Sequence, residues 1–272
     1  MGHGNPDRNA KHSPVPDPTF DDHELAAHLA DEAGTLLVDL RAERVAAGDF
    51  DPGELKDDGD QQAHELLMLG LADRIAAGDA VLSEEGRDSS ERLAHERVWI
   101  VDPLDGTREF GEPPRTDWAV HVALTIDGVP VAGAVALPAL DRVLATAQPP
   151  SVLDLEPLQG RPRVIVSRTR PPAAATWVAG QLDAELVEMG SAGAKAMAVV
   201  MGGADVYVHS GGQYEWDSCA PVAVALAAGL HCSRIDGSPL VYNNLDPYLP
   251  DLLICRPELA ARTLQALETF EG

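Results

Sequence analysis

Cysteine is scarce in this 272-residue chain, which holds only Cys219, Cys232 and Cys255. An odd, scattered set without C-x-x-C spacing excludes a disulfide framework and a cysteine-based zinc site. Positive charge is scarce as well: 20 Lys and Arg stand against 44 Asp and Glu, a formal net charge of -24. A general surface of that sign repels the phosphates of a nucleic acid polymer. Small anionic ligands remain admissible where local cations, metals included, invert the field at one site. No apolar run is long enough to span a membrane, and no basic segment followed by an apolar one opens the chain. Internal repeats are missing too. These absences set the expectation of a reduced, cytoplasmic enzyme without membrane or nucleic acid polymer among its partners.

What is present is enough for a substantial core. The hydrophobic fraction is 45%, and the length suits one large domain or two smaller ones sharing an interface. Residues 1–20 are rich in Gly, Pro, Asn and His and read as a flexible tail. From Asp21 or Asp22 as N-cap, Leu25, Leu29, Ala33, Leu36, Leu37 and Leu40 recur at helical spacing towards Gly48. Residues 49–59 read as a loop, and residues 60–77 as a second helix with Ala63, Leu66, Leu67 and Ile75 inside. A short strand over 80–83 runs into Glu84 and Glu85. Later, residues 118–126 and 129–137 flank Asp127-Gly128, a hairpin signal, and 141–147 can add a strand. Residues 21–150 thus read as an α+β unit, two helices on an antiparallel sheet. Residues 151–272 alternate strand (163–166), helix (173–181), strand (185–189) and helix (192–201), then strand (204–208), helix (217–228) and strand (231–235). A late strand (252–255) and a helix (257–270) close this α/β unit. The Pro-rich stretch 148–162 marks the boundary, and the active site is expected between the units.

The informative stretch is Val98-Trp99-Ile100-Val101-Asp102-Pro103-Leu104-Asp105-Gly106-Thr107-Arg108-Glu109-Phe110. It starts as a buried, β-branched strand, stops at Pro103 and turns at Gly106, which leaves two aspartates and a threonine at a strand end. Unpartnered buried carboxylates are costly and two so close repel, whereas a hard divalent cation such as Mg2+ removes both problems. Taken alone, D-x-x-D is more often an acidic turn, so other oxygen donors decide. Glu84-Glu85 alone would be a solvated turn, and Asp217, placed as an N-cap with Pro221 in the first turn, needs no metal. Together, three carboxylate groups at element ends can hold two or three Mg2+ ions around a phosphate. Gly106 and Thr107 can offer backbone N–H groups to that phosphate, the more so if a helix starts there.

Residues 99–110 resemble the first signature of the inositol monophosphatase superfamily. Trp216-Asp217-Ser218-Cys219-Ala220-Pro221 resembles its second signature, and Ser83-Glu84-Glu85 its upstream metal glutamate. The resemblance covers about residues 21–270 and implies a layered αβαβα sandwich. It implies Glu84 (Glu85 the alternative), Asp102, Asp105, Asp217 and the Leu104 carbonyl as metal ligands, with Asp102 bridging two ions. It also implies that Thr107, with an upstream aspartate assigned to Asp60 (Asp57 and Asp58 lie close by), activates the attacking water. Leu104 with Arg108-Glu109-Phe110, and Val166-Ser167-Arg168, are similar to the CysQ-type 3′-phosphoadenosine 5′-phosphate (PAP) phosphatases. The implied substrate contacts are Asp105, Gly106, Thr107, Ser167, Arg168, Ser191 and Lys195. Arginine suits a second phosphate because it binds phosphate bidentately; Lys195 reads equally as a solvated helix lysine. The expected reaction is Mg2+-dependent hydrolysis of PAP to AMP and phosphate in sulfur assimilation, with lithium sensitivity. An inositol-1-phosphate or fructose-1,6-bisphosphate phosphatase is the alternative, as is a non-catalytic metal-dependent binding protein. A homodimer is the assembly that relatives suggest. His121, His209 and His231 lack partners at metal-ligand spacing and read as ordinary histidines; Trp99, Trp118 and Trp216 read as core.

Overall fold

Asp21 starts the first helix with a capping box, its carboxylate accepting from Glu24 N while Glu24 accepts from Asp21 N. This helix, α1 (Asp22–Ala47), ends at Gly48 with φ 75°, a left-handed cap that glycine adopts without strain. The computed structural model described here covers residues 16, 19–48, 51–152 and 155–270. The tail expected over residues 1–20 lies outside the described residues but for residues 16, 19 and 20. Leu25, Leu29, Ala33 and Leu37 form the buried stripe of α1, while Leu36 and Leu40 are only partly buried.

The second helix, α2 (Pro52–Gly70), corrects the expected loop over residues 49–59. Asp51 caps it through Gly53 N and Glu54 N, and Pro52 suits its first position. Gly59 is not a breaker but a contact point, since a Cβ there would stand 2.9 Å from Phe110 and 3.1 Å from Leu104. Leu71 separates α2 from the short α3 (Ala72–Ala76), and Ile75, expected inside, is exposed.

The first sheet contains β1 (Ala80–Ser83), β2 (Arg97–Asp105), β3 (Ala119–Ile126), β4 (Val129–Leu137) and β5 (Arg142–Ala145), in that spatial order. It is not wholly antiparallel as expected, because β1 pairs with β2 in parallel through the crossover that follows Glu84 and Glu85. Asp127 and Gly128 make the β3–β4 turn with φ 50° and 76°, the positive pair that a two-residue hairpin requires. A one-turn helix, α4 (Thr107–Phe110), follows β2.

The remaining elements are β6 (Arg163–Ser167), α5 (Ala173–Leu182), β7 (Glu185–Met189), α6 (Ala192–Val200), β8 (Val206–Tyr214), α7 (Glu215–Ala227), β9 (His231–Ser233), β10 (Tyr248–Cys255) and α8 (Pro257–Glu268). The strands order as β7-β6-β8-β10-β9, with β7-β6-β8 parallel and β8-β10-β9 antiparallel. Strand β8 runs well past the expected residues 204–208 to Tyr214, through Gly211 and Gly212 at φ 80° and 79°.

Three apolar clusters define the layers. One joins α1 and α2 to one face of the first sheet, and another joins α5 and α8 to the far face of the second. The third lies between the sheets and holds α6 and α7. Every residue of α6 is buried, and a helix apolar on all sides needs cover on all sides. That requirement produces the αβαβα sandwich. No helix among the described residues is long and apolar enough to cross a membrane.

Candidate active site

The end of β2 and the starts of α6 and α7 meet between the sheets, and there the acidic residues converge. Carboxylate oxygens of Asp102, Asp105 and Asp217 all lie within 4.8 Å of one another. Asp102 is 1% exposed and Asp105 7%. Pro103 and Gly106 shape the turn that delivers them. Asp102 Oδ1 accepts from Leu104 N at 3.1 Å, and the Leu104 carbonyl accepts from Thr107 Oγ1 at 3.1 Å.

Asp217 is not the N-cap of its helix as expected. The helix begins at Glu215, so Asp217 sits in its first turn, where Oδ2 accepts from Tyr214 N at 2.7 Å. Asp105 lies on the start of α6, accepting from Ala192 N at 3.1 Å, Gly193 N at 2.6 Å and the Ser191 hydroxyl. Ser191 holds a left-handed φ of 49° while its Oγ caps Ala194 N at 2.9 Å. A non-glycine residue in that conformation is strained, and the hydrogen bonds to Asp105 offset the strain.

The charges show what the cluster is suited to. Asp102 is pushed well above the usual carboxylate range, first by burial and then by Glu84, Asp105 and Asp217. Asp217 is pushed up to about 7, by burial and then by Asp105. Asp105 goes the other way: burial raises it, but His121, Lys195 and Ser191 together hold it well below the usual range. Glu84 is raised by burial first and by Asp105 and Glu85 next, against a hydrogen bond with Asp102 that lowers it. Of the two glutamates, Glu84 is the one that shares a hydrogen bond with Asp102. Glu85 faces a cavity of about 450 Å³ that it lines with Asp57, Asp60, Gln61, His64 and Glu65. Asp60 is pushed up to about 8 there, by burial and then by Glu85, Glu84 and Asp57. A set of hard oxygens that repel one another in a buried place fits one or more Mg2+ ions.

The remaining expected residues fall into two groups. Lys195 is not solvated; it is 5% exposed, and Nζ donates to Gly190 O at 3.3 Å and to Ser191 O. Gly106 lies beside Ser191, with a Cβ there 3.0 Å from Ser191 Cβ. Ser167 and Arg168 stand farther out. Arg168 Nε donates to Glu109 Oε1 at 2.6 Å and Nη2 to Glu112 Oε2 at 2.8 Å, so two carboxylates already engage it. Ser167 Oγ accepts from Arg170 N at 3.3 Å.

Sequence reasoning missed one residue. His121 is fully buried, with Nε2 3.4 Å from Asp105 Oδ2 and Nδ1 3.9 Å from Asp102 Oδ2. Its closeness comes from strand register, in which His121 pairs directly with Asp102 across β2 and β3. That antiparallel register of β2 and β3, rather than ligand spacing along the chain, sets the contact. His209 and His231 lie apart from the three carboxylates, and Trp99 and Trp118 are core as expected; Trp216 is partly buried and stacks on Tyr214 with centroids 4.8 Å apart.

Comparison with known proteins agrees with this architecture. The profile of the Inositol monophosphatase family matches residues 23–270. A 3′-phosphoadenosine 5′-phosphate phosphatase of Mycobacterium tuberculosis is 52% identical over 248 residues, covering 87% of this chain and 89% of that protein. The 3′(2′),5′-bisphosphate nucleotidase CysQ of Escherichia coli K12 is 32% identical over 203 residues, covering 70% of this chain and 80% of that one. Among solved structures, CysQ from Bacteroides thetaiotaomicron superposes with a TM-score of 0.71 at 26% identity, over 85% of this chain and 96% of that one.

Proposed function

The chain belongs to the inositol monophosphatase family, and from that premise we propose that it is a Mg2+-dependent phosphatase removing the 3′-phosphate of PAP. The products are AMP and phosphate, and the setting is sulfur assimilation in a reducing cytoplasm, with which three free cysteines agree. The observation that carries the reading is the convergence of Asp102, Asp105 and Asp217 within 4.8 Å from two distant parts of the chain. The substrate choice is supported by the PAP phosphatase of M. tuberculosis, 52% identical, and by the Ser167-Arg168 segment.

Glu84, Asp102, Asp105, Asp217 and the Leu104 carbonyl would hold the metal ions, two or three of them. When bound, the ions neutralise the phosphoryl oxygens and favour ionisation of water at neutral pH. The chain's own residues do the rest. Asp60, in its ionised form, takes the proton of the attacking water; burial and then Glu85 raise its pKa, which makes the ionised carboxylate a stronger base. The Thr107 hydroxyl donates a hydrogen bond to the Leu104 carbonyl, which leaves its lone pairs to accept from and orient that water. Gly59, packed against the Leu104 and Phe110 side chains, lets the α2 turn that carries Asp60 come close to the signature segment, which supports this pairing. Backbone N–H groups at Gly106 and Thr107, with Ser191, cradle the scissile phosphate. Arg168 supplies positive charge for the second phosphate through Nη1, which has no hydrogen-bond partner among the described residues, while Glu109 engages Nε and Glu112 Nη2. Lys195, its ammonium held by the Gly190 and Ser191 carbonyls, adds positive charge from behind that loop.

Incubation of purified protein with PAP and Mg2+ tests the reading by chromatography of the nucleotide product. Stoichiometric AMP and phosphate, abolished by EDTA and reduced by lithium, are expected. No AMP at any Mg2+ concentration would overturn it.

A further inference from the structure

Four segments meet at the His121 imidazole. Strand β3 carries it, and its register partner is Asp102 on β2. Nδ1 lies 3.0 Å from the carbonyl of Trp216, the residue before Asp217 in the first turn of α7. A carbonyl oxygen only accepts, so Nδ1 carries the hydrogen and donates it. Nε2 lies 3.4 Å from Asp105 Oδ2 and has no hydrogen-bond partner among the described residues. The same Asp105 oxygen accepts from Gly193 N at 2.6 Å, and a Cβ built on Gly193 would run into Nε2. The ring is thus a wedge, closed on one side by the α6 backbone and on the other by the α7 backbone. It has no exposed surface.

Asp105 and Asp217 come from elements 110 residues apart, and like charges within 4.8 Å push those elements away from each other. Asp105 ends β2 and is tied to the start of α6, whereas Asp217 lies in the first turn of α7, so no single element's geometry holds the two carboxylates together. We propose that His121 is a positioning residue for metal binding. Its Nδ1–H fixes the Trp216 carbonyl, and hence Asp217, relative to Asp105. It touches neither the substrate nor the reacting atoms. The inference rests on the reading that these carboxylates hold Mg2+. Residues that orient ligands in this way typically change metal affinity on the order of 10–100-fold when replaced.

Substitution at the two ring nitrogens separates this role from simple core packing. H121N places a side-chain N–H near the position of Nδ1 and can still donate to Trp216 O. H121Q projects its amide beyond that position, towards Asp105, and cannot. Isothermal titration calorimetry of Mg2+ into metal-free protein reads affinity directly. Initial rates against Mg2+ and substrate supply the half-activation concentration and KM. The expected order of Mg2+ affinity is wild type, then H121N within about threefold, then H121Q and H121A weaker by about tenfold or more. At saturating Mg2+ all variants should keep KM for substrate, with only the half-activation concentration raised. Mg2+ affinity unchanged in H121A, or H121N as weak as H121Q, overturns the proposal. If H121A does not fold, the comparison of H121N with H121Q decides alone. If wild-type protein takes up no Mg2+, the underlying metal reading fails instead, so the two failures are distinguishable.

Discussion

Replacing Asp102 by Asn should stabilise the metal-free protein while abolishing its activity. Asp102 is 1% exposed, and its carboxylate lies within 4.8 Å of oxygens of both Asp105 and Asp217. At that separation two unit charges repel by about 3 kcal/mol at an effective dielectric of about 20. Part of the repulsion is already relieved by proton uptake, because burial and then Glu84, Asp105 and Asp217 raise the Asp102 carboxyl. The net gain for D102N is therefore about 1–2 kcal/mol, or roughly 2–6 °C in Tm for a chain of this size. Asparagine keeps the bond from Leu104 N, and its amide can donate to Glu84, so no buried group is orphaned. With Mg2+ the order reverses. Wild type gains about 2.7 kcal/mol at a hundredfold excess over Kd, whereas D102N, lacking the ligand shared by the cluster, gains little. Differential scanning fluorimetry in EDTA and in Mg2+, beside a phosphate-release assay, reads all three quantities. A D102N protein less stable than wild type in EDTA, or one stabilised by Mg2+ as wild type is, would refute the reasoning.

Asp60→Asn and Thr107→Ala should each lower kcat on the order of 10²–10⁴-fold. The Mg2+-induced rise in Tm should remain, since neither residue is assigned to the metal; its loss would count against that division of roles. Arg168→Ala should raise KM for PAP but not for a substrate with one phosphate, measured by initial rates. Glu112, 47% exposed and paired with Arg168 Nη2, competes for the same guanidinium; Glu112→Gln should lower KM for PAP by about threefold at low salt. Gly193→Ala drives a Cβ into His121 Nε2. It should cost about 1–3 kcal/mol by urea denaturation, as overpacked sites do.

The signature turn was legible because buried acids at a strand end are costly enough to demand an explanation, and Asp217 was legible through the resemblance of residues 216–221 to the second signature. The layered fold was legible through the resemblance of the two signature segments, and the structure supplies its physical reason: every residue of α6 is buried and so needs cover on all sides. Residues 52–59 were misread because Gly59 and a run of acids lower helix propensity. Packing of Gly59 on Phe110 and Leu104 outweighs that penalty, and packing across the chain is invisible in a local window. The closeness of His121 to the aspartates was not legible because it is set by β2–β3 register and not by spacing along the chain. Lys195 illustrates a third limit. Its helix position reads as exposed or substrate-facing, yet its ammonium turns back to the Gly190 and Ser191 carbonyls inside the middle layer. Arg168, expected to face the substrate phosphate directly, is shared with Glu109 and Glu112. The ion pair from Arg168, just past β6, to Glu109 on α4 could not be read from either segment alone.

Phosphate release from PAP, inositol 1-phosphate and fructose 1,6-bisphosphate, side by side in saturating Mg2+, tests the central claim most directly. The expected result is a kcat/KM for PAP far above that for the other two; a higher value for inositol 1-phosphate or fructose 1,6-bisphosphate would contradict it.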